Sequence, residues 1–320
     1  MARTIGARAL QSLLVLAAMS FVIFILMGLM PGDPVDLMIG ADPFMTSEDA
    51  ARLRALYGLD RPLLERYGTW LGAALTGDIG YSRLYAQPVP QVLAPALVNT
   101  LALMGAAFVL SIAIALPAGI IAAARPNSAL DHWINGLAFA GISLPPFWLA
   151  LVLIVLFSVI LGWFPAAGTP VGDVTFGTRL SHSVLPVLSL TLASVGGHIR
   201  YVRAAMLDVV GRDFIRTAYA KGLSERRVLL GHALRSALIP VVTIVGLEFG
   251  TLFSGALITE TVFAYPGMGR LIYDAVMGND FNLALIALLL ATVVTLMGNI
   301  LADIAYAALD PRISLAGRSR

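Results

Sequence analysis

The stretch "LVNTLALMGAAFVLSIAIALPAGIIAAA" (residues 97–124) contains no charged side chain. A helix needs about 20 apolar residues to cross the hydrocarbon core of a bilayer, so this stretch is long enough to span a membrane. The whole chain has the same character, because 58% of its 320 residues are hydrophobic and only 12% are charged. Soluble domains carry about twice that share of charge. The sequence therefore predicts an all-α membrane protein.

Five further segments are also long and apolar enough to span a membrane, which gives six predicted transmembrane helices. In chain order the six are Leu10–Leu29, Leu97–Ala124, Trp133–Gly162, Val184–Val202, Leu238–Ile258 and Leu283–Leu309. The first follows two arginines, like a signal peptide, but its apolar run is too long and no small-residue cleavage site ends it. We therefore expect it to be retained.

The loops between the predicted spans are unequally charged. With the N-terminus in the cytoplasm, the inner segments hold fourteen of the 21 basic residues and the outer segments hold seven. Lys and Arg accumulate in cytoplasmic loops, so both termini are predicted to be cytoplasmic. The chain then divides into an N-terminus with the first helix (1–30), an extracytoplasmic segment (31–96), a transmembrane part with five helices (97–309) and a cytoplasmic tail (310–320).

The extracytoplasmic segment is predicted to form two short helices on the outer face. Ser47, followed by two acidic residues, is a helix-start signal, and Gly58 is a stop signal. A second helix can start near Pro62 and run to Gly77. Carboxylates outnumber cations here, which fits either a docking surface or a solvated face.

Two of the spans contain features that could line a translocation pathway. Pro145 and Pro146 remove two backbone donors and should kink or break the third span, at the border of a pathway or of a tight helix packing. In the fifth span Glu248 is either a pathway group or a hydrogen-bond partner buried between helices. The same span has a seam of small residues for close helix packing, formed by Gly246, Gly250 and Ser254.

A predicted cytoplasmic loop at 203–237, here called the basic segment, contains the stretch "RTAYAKGLSERRVLLGHALRS". A short helix is predicted to end at Lys221, because Gly222 can adopt the left-handed conformation that commonly follows a helix. Ser224 is expected to cap the next helix, with Glu225 in its first turn. The result is a helix, a tight turn and a second helix.

The second helix of the basic segment has two apolar features. Leu223 and Val228 have the spacing of a hydrophobic staple across its start. A stripe that should face the bundle is formed by Leu230, Leu234 and Leu238. A topogenic loop or an anionic-lipid anchor needs only cations, whereas a capped turn of defined shape favours docking to a partner protein.

Residues 213–243, "DFIRTAYAKGLSERRVLLGHALRSALIPVVT", resemble the cytoplasmic coupling region of ABC-importer permeases. The resemblance is to the family that transports dipeptides, oligopeptides and nickel, although Arg216, Thr217 and Arg235 depart from the general pattern. Further stretches resemble the same family in the same order: "MPGDP" (30–34), "YGLDRPLLERYGTWLGAALTGDIGYS" (57–82), "SLPPFW" (143–148) and "GTLFSGALITETVFAYPGMGRL" (250–271).

The resemblance implies a type I ABC-importer permease fold in the bacterial inner membrane. It also implies three kinds of partner: a second homologous permease subunit, two ATP-binding cassette subunits and an extracytoplasmic substrate-binding protein. The ATPase-coupling residues it implies are Ala218, Ala220, Lys221, Gly222, Leu223, Ser224 and Glu225. The residues it implies for docking of the binding protein are Tyr265, Pro266, Gly267 and Gly269.

No catalytic, cofactor-binding or metal-binding residues are predicted in this chain. No stretch matches the phosphate-binding motif GxxxxGK[ST], so ATP and Mg²⁺ are expected on the partner subunits. There is no cysteine, which excludes disulfides and cysteine-ligated metals. A nucleic-acid partner is not expected, and the lipid bilayer is.

The substrate and two other classes of function remain open at this point. The family resemblance favours peptides, with a nickel complex, an opine or an oligosaccharide as alternatives. A proton-coupled carrier would depend on Glu248 and Asp303. An intramembrane enzyme would need catalytic groups at mid-depth, but the four histidines lie in loops or near span ends, where His198 is expected to reach water.

Overall fold

The computed structural model describes residues 2–29, 35, 46–56, 58–170, 175–239, 241 and 256–309. In chain order its helices are α1 (Ala2–Gly28), α2 (Ser47–Leu56), α3 (Leu63–Leu75), α4 (Val89–Ala124), α5 (Ala129–Ser143), α6 (Pro146–Leu153, continued by a π-helical segment over Ile154–Ile160), α7 (Phe176–Val210), α8 (Asp213–Ala220), α9 (Glu225–Arg227, continued by a π-helical segment over Val228–Ala233 and by helix over 234–239), α10 (256–262), α11 (Met268–Met277) and α12 (Phe281–Leu309). The predicted helical class is confirmed.

Four helices of the described ranges are long and apolar enough to cross a membrane, namely α1, α4, α7 and α12. They contain the first, second, fourth and sixth predicted spans. The third predicted span is two helices, α5 and α6, bent by 102° at the break between them. The bent pair makes a fifth crossing if it is one span. Most of the fifth predicted span, 238–258, lies outside the described residues.

The segment before α4 has the two predicted short helices, α2 and α3, and a hairpin that was not predicted. Strand β1 (Tyr81–Ser82) pairs antiparallel with β2 (Gln87–Pro88). Strands of two residues are too short to show an alternating pattern in the sequence. The hairpin is held by Asp280, whose carboxylate accepts from the Ser82 hydroxyl at 2.6 Å and from the Leu84 N–H at 2.9 Å.

The helices pack around two main hydrophobic cores. The first core joins α1, α4, α11 and α12, and α3 lies against it through an aromatic cluster in which Phe24 contacts Tyr67 and Trp70. The second core joins the end of α4, the end of α7, and both helices of the basic segment. The basic segment is therefore fixed to two membrane-spanning helices.

Candidate functional site

The basic segment is built around the turn between α8 and α9. Gly222 has a φ of +77°, in the left-handed region that residues with a Cβ rarely adopt. Its N–H donates to the carbonyl of Tyr219 at 2.9 Å, and the N–H of Leu223 donates to the carbonyl of Ala218 at 3.4 Å. These two bonds form a Schellman motif, which ends α8 and reverses the chain. The predicted role of Gly222 as a helix stop is confirmed.

The predicted coupling residues lie together at this turn, but they do not all face outward. Ala218 is buried and Leu223 is half-buried against the second core, so both face the helix bundle. The other five form an exposed rim: Ala220, Lys221, Gly222, Ser224 and Glu225. The rim is the part of the basic segment that another protein can contact.

Exposed apolar side chains accompany the rim, and the sequence pattern did not single them out as contacts. Phe214 is 43% exposed, Tyr219 is 42% exposed and Leu230 is 45% exposed. Five arginines of the segment are exposed as well: Arg212, Arg216, Arg226, Arg227 and Arg235. The surface of the basic segment is therefore both apolar and cationic.

The inward face of α9 differs from the predicted one. Leu230 is exposed, and the buried positions are Leu229, Ala233 and Ala237, one residue earlier in each turn. Of the predicted stripe of Leu230, Leu234 and Leu238, Leu234 packs half-buried against the second core, whereas the prediction was wrong for Leu230. The prediction ranked side chains by hydropathy, whereas the buried face combines large residues with alanines that occupy little space in the core.

Ser224 occupies the predicted N-cap position of α9. Its backbone is extended, with φ −64° and ψ 148°, but its hydroxyl makes no capping hydrogen bond. The start of α9 is held instead by the Ser224 carbonyl, which accepts from the Val228 N–H at 3.0 Å, and by the complete burial of the Val228 side chain. The position was predicted correctly and the side-chain bond was not.

An ion pair joins α7 to α5 at the start of the basic segment, between Arg203 and the buried Asp131. The Arg203 guanidinium donates to both carboxylate oxygens of Asp131, each at 2.6 Å. The Asp131 side chain is 3% exposed and also accepts from the Asn135 amide at 2.6 Å and from the Asn127 N–H at 2.9 Å. Such a bidentate pair fixes both distance and orientation. The pair therefore joins the later part of α7 to α5, the first half of the bent pair.

A second buried carboxylate organises the loop between α10 and α11. Glu260 is fully buried. One carboxylate oxygen accepts from the Thr100 hydroxyl on α4 at 2.5 Å. The other accepts from the N–H groups of Gly269 at 2.6 Å and Arg270 at 3.2 Å. The carboxylate caps the N-terminus of α11 and ties the loop to α4.

The four residues predicted to dock a binding protein lie in this loop, with different exposures. Pro266 is exposed and Tyr265 is half-buried, and burial raises the pKa of the Tyr265 phenol. Gly267 and Gly269 are buried. A Cβ at Gly267 would lie 2.2 Å from the Glu260 carboxyl carbon, and one at Gly269 would lie 2.3 Å from the Leu257 Cα. These glycines leave room for the carboxylate, and the docking role of all four residues stays a prediction.

The predicted break at the paired prolines is confirmed, while their role in a pathway stays a prediction. Pro145 precedes α6 with an extended backbone, and Pro146 is the first residue of α6, where a missing N–H is tolerated. The remaining pathway and packing candidates lie outside the described residues: Gly246, Glu248, Gly250 and Ser254.

His198 is fully buried, so the expectation that it reaches water was wrong. The reason is that α7 continues to Val210, which places His198 well inside the helix. Its Nδ1 lies 2.7 Å from the Ser111 hydroxyl on α4, and its ring meets Phe108 edge-on. His198 is a polar contact between α4 and α7.

Two family profiles together match almost the whole chain. The profile described as "Binding-protein-dependent transport system inner membrane component" matches residues 115–315. The profile described as the N-terminal part of such membrane components matches residues 1–103. The chain belongs to this family. The predicted family and the predicted inner-membrane location are both confirmed. In this transport component, the basic segment and the Glu260 loop both lie within residues 115–315.

Curated relatives of this transport component align along nearly their full lengths. The oligopeptide transport system permease protein AppB of Bacillus subtilis is 39% identical over 98% of this chain and 99% of its own. A putative peptide permease protein of Brucella suis is 41% identical over 96% of this chain and 98% of its own. The di/tripeptide transport system permease protein DppB of Pseudomonas aeruginosa is 38% identical over 91% and 92%.

Two solved structures share the fold of this transport component. The MetNI methionine ABC transporter in inward facing conformations matches with a TM-score of 0.59 at 20% identity, over 70% of this chain and 98% of the other. An amino acid ABC transporter matches with a TM-score of 0.52 at 15% identity, over 68% of this chain and 94% of the other. The helical arrangement is that of an ABC-importer permease.

Proposed function

We propose that this chain is one of two translocation subunits of an ATP-driven importer, and that the importer takes up peptides or a related small solute. The names of the aligned relatives favour peptides, because oligopeptide, peptide and di/tripeptide permeases align over more than nine-tenths of the chain. The solute would be delivered by an extracytoplasmic binding protein, as the family description implies.

The proposed topology has six spans and cytoplasmic termini. The bent pair α5 and α6 counts as one span, and residues 238–258 supply another. The excess of Lys and Arg then lies on the cytoplasmic side, which includes the basic segment. The hairpin, α2, α3 and the Glu260 loop lie on the opposite side, where a binding protein would approach.

The observation that carries the proposal is the construction of the basic segment. Its exposed rim is set by a Schellman turn, and its inner side shares a hydrophobic core with the ends of α4 and α7. A partner ATPase that closes on ATP would push on the rim. Because α8 and α9 are short and packed, the push would displace α7, and the pair of Arg203 with Asp131 would carry the displacement to α5. Coupling of this kind requires packed elements with two arrangements.

The test is uptake of a labelled peptide by proteoliposomes that contain this chain, a partner permease and two ATPase subunits, with binding protein outside and ATP inside. Uptake is expected only when all components and ATP are present. Competition by unlabelled peptide, nickel complex, opine or oligosaccharide identifies the solute class. Uptake by this chain alone, driven by a proton gradient without ATPase subunits, would establish the rival proton-coupled carrier and refute the proposal.

A further inference from the structure

A groove of about 460 Å³ lies between α1 and α12, outside the site described above. Its walls come from the first turns of α1, which contribute Arg8 and Gln11, and from the later part of α12, which contributes Asn299. These helices pack against each other, and the groove lies between them. Neither the proposed coupling surface nor the proposed docking loop includes any of its residues.

The lining of the groove changes from polar to apolar along the axis of α1. Arg8 and Gln11 line the polar end, whereas Leu14 and Val15 line the wall farther along the helix. The apolar stretch of α1 begins at Leu10, so Arg8 stands at the level of the membrane surface. Val15 lies about 10 Å deeper, at 1.5 Å of rise per residue. The gradient matches the passage from lipid headgroup to acyl chain.

Asn299 adds a second reason to expect a ligand with hydrogen-bonding atoms. It is half-buried in α12, and its side chain makes no hydrogen bond to another residue of the described ranges. An amide in an apolar environment costs free energy unless it is paired. A phosphate oxygen at the polar end of the groove would accept from its NH₂ group.

We propose that this groove seats an anionic phospholipid. The phosphate lies at Arg8, Gln11 and Asn299, and an acyl chain follows Leu14, Val15 and Leu296. A guanidinium binds a phosphate through paired donors, and net negative charge on the lipid favours it over a zwitterion. The proposal does not depend on transport activity; the proposed topology decides only that the lipid belongs to the cytoplasmic leaflet.

Native mass spectrometry tests the headgroup contacts. The full chain is released from bilayers of equal phosphatidylglycerol and phosphatidylethanolamine, and the retained lipids are identified. Wild type is expected to retain phosphatidylglycerol preferentially. Arg8→Ala should reduce that preference about five-fold, because the groove loses the guanidinium that binds the phosphate. The matched control is Arg125→Ala, an exposed arginine outside the groove, which should leave the preference unchanged. Equal retention of both lipids by wild type, or equal loss in both variants, overturns the proposal.

Filling the groove tests the acyl-chain contacts without changing any charge. Val15→Trp should displace the lipid, whereas Leu13→Trp, at a position 62% exposed and outside the groove lining, should not. The chain has no cysteine, so Val15→Cys also gives a reporter that is single within this chain. Crosslinking of that cysteine to a photoreactive phosphatidylglycerol supports the proposal. Crosslinking to a second permease subunit instead, or equal effects of both tryptophans, overturns it.

Discussion

Replacement of Gly222 by alanine tests whether the turn of the basic segment must keep its backbone conformation. No atom lies within 4 Å of the position that a Cβ would occupy there, so the substitution creates no clash with a neighbour. The cost comes from the backbone alone, because a φ of +77° is disfavoured for a residue with a Cβ by about 1–2 kcal/mol. That cost shifts the equilibrium away from the Schellman turn by a factor of about 5–30.

The expected consequence is loss of coupling rather than loss of the protein. In the reconstituted importer, Gly222→Ala should raise the ATP hydrolysed per peptide imported by about five-fold or more, while the amount of protein in the membrane stays the same. Gly222→Val should do so more strongly, since a β-branched side chain is even less tolerant of positive φ. The reason is that a loosened turn absorbs the push of the ATPase instead of passing it to α7.

The matched control is Gly231→Ala, the same chemical change in the same segment. Gly231 lies in the π-helical segment of α9 without a positive φ, and no atom lies within 4 Å of its Cβ position. Alanine is favoured over glycine in a helix by about 1 kcal/mol, so this variant should couple as wild type does. A wild-type ratio of hydrolysis to transport for Gly222→Ala would refute the reasoning.

Two further predictions concern the buried carboxylates and are measured by thermal unfolding in detergent. Arg203→Ala should destabilise the chain by about 3 kcal/mol, because it leaves Asp131 buried without its charged partner. The control Arg212→Ala breaks only an exposed ion pair, so it should cost about 0.5 kcal/mol or less. Equal effects of the two arginine variants would contradict the conclusion that the pair of Arg203 with Asp131 holds α5 to α7. Glu260→Ala should cost about 3 kcal/mol and speed amide hydrogen exchange over 264–270, since two N–H groups and the Thr100 hydroxyl lose their acceptor. Unchanged exchange in that loop would show that Glu260 does not hold it.

The features that could be predicted from sequence are those decided by one residue type or by local spacing. Gly222 identified its turn because glycine is the usual residue at a left-handed helix end. The paired prolines identified the break before α6 because they lack the N–H groups that a helix interior needs. The four long apolar stretches identified α1, α4, α7 and α12 because bilayer thickness sets a minimum length.

The features that could not be predicted depend on contacts between distant parts of the chain. Arg203 was counted only as one of the cytoplasmic cations, because its partner Asp131 is 72 residues away. No local pattern in the sequence indicates a role for Glu260, although its three acceptor bonds and the glycines at 267 and 269 form one unit. The buried face of α9 was missed because packing decided it, not hydropathy.

The central claim is that the rim of the basic segment contacts an ATPase subunit. Ser224 is exposed and its side chain makes no capping bond, so Ser224→Cys removes no capping interaction and introduces the only cysteine of the chain. In the assembled importer, this cysteine is predicted to crosslink to an ATPase subunit, with a yield that changes when ATP is added, whereas Pro266→Cys gives no such product. If the cysteine at 224 stays fully reactive toward a soluble maleimide and never crosslinks to the ATPase, the claim is contradicted.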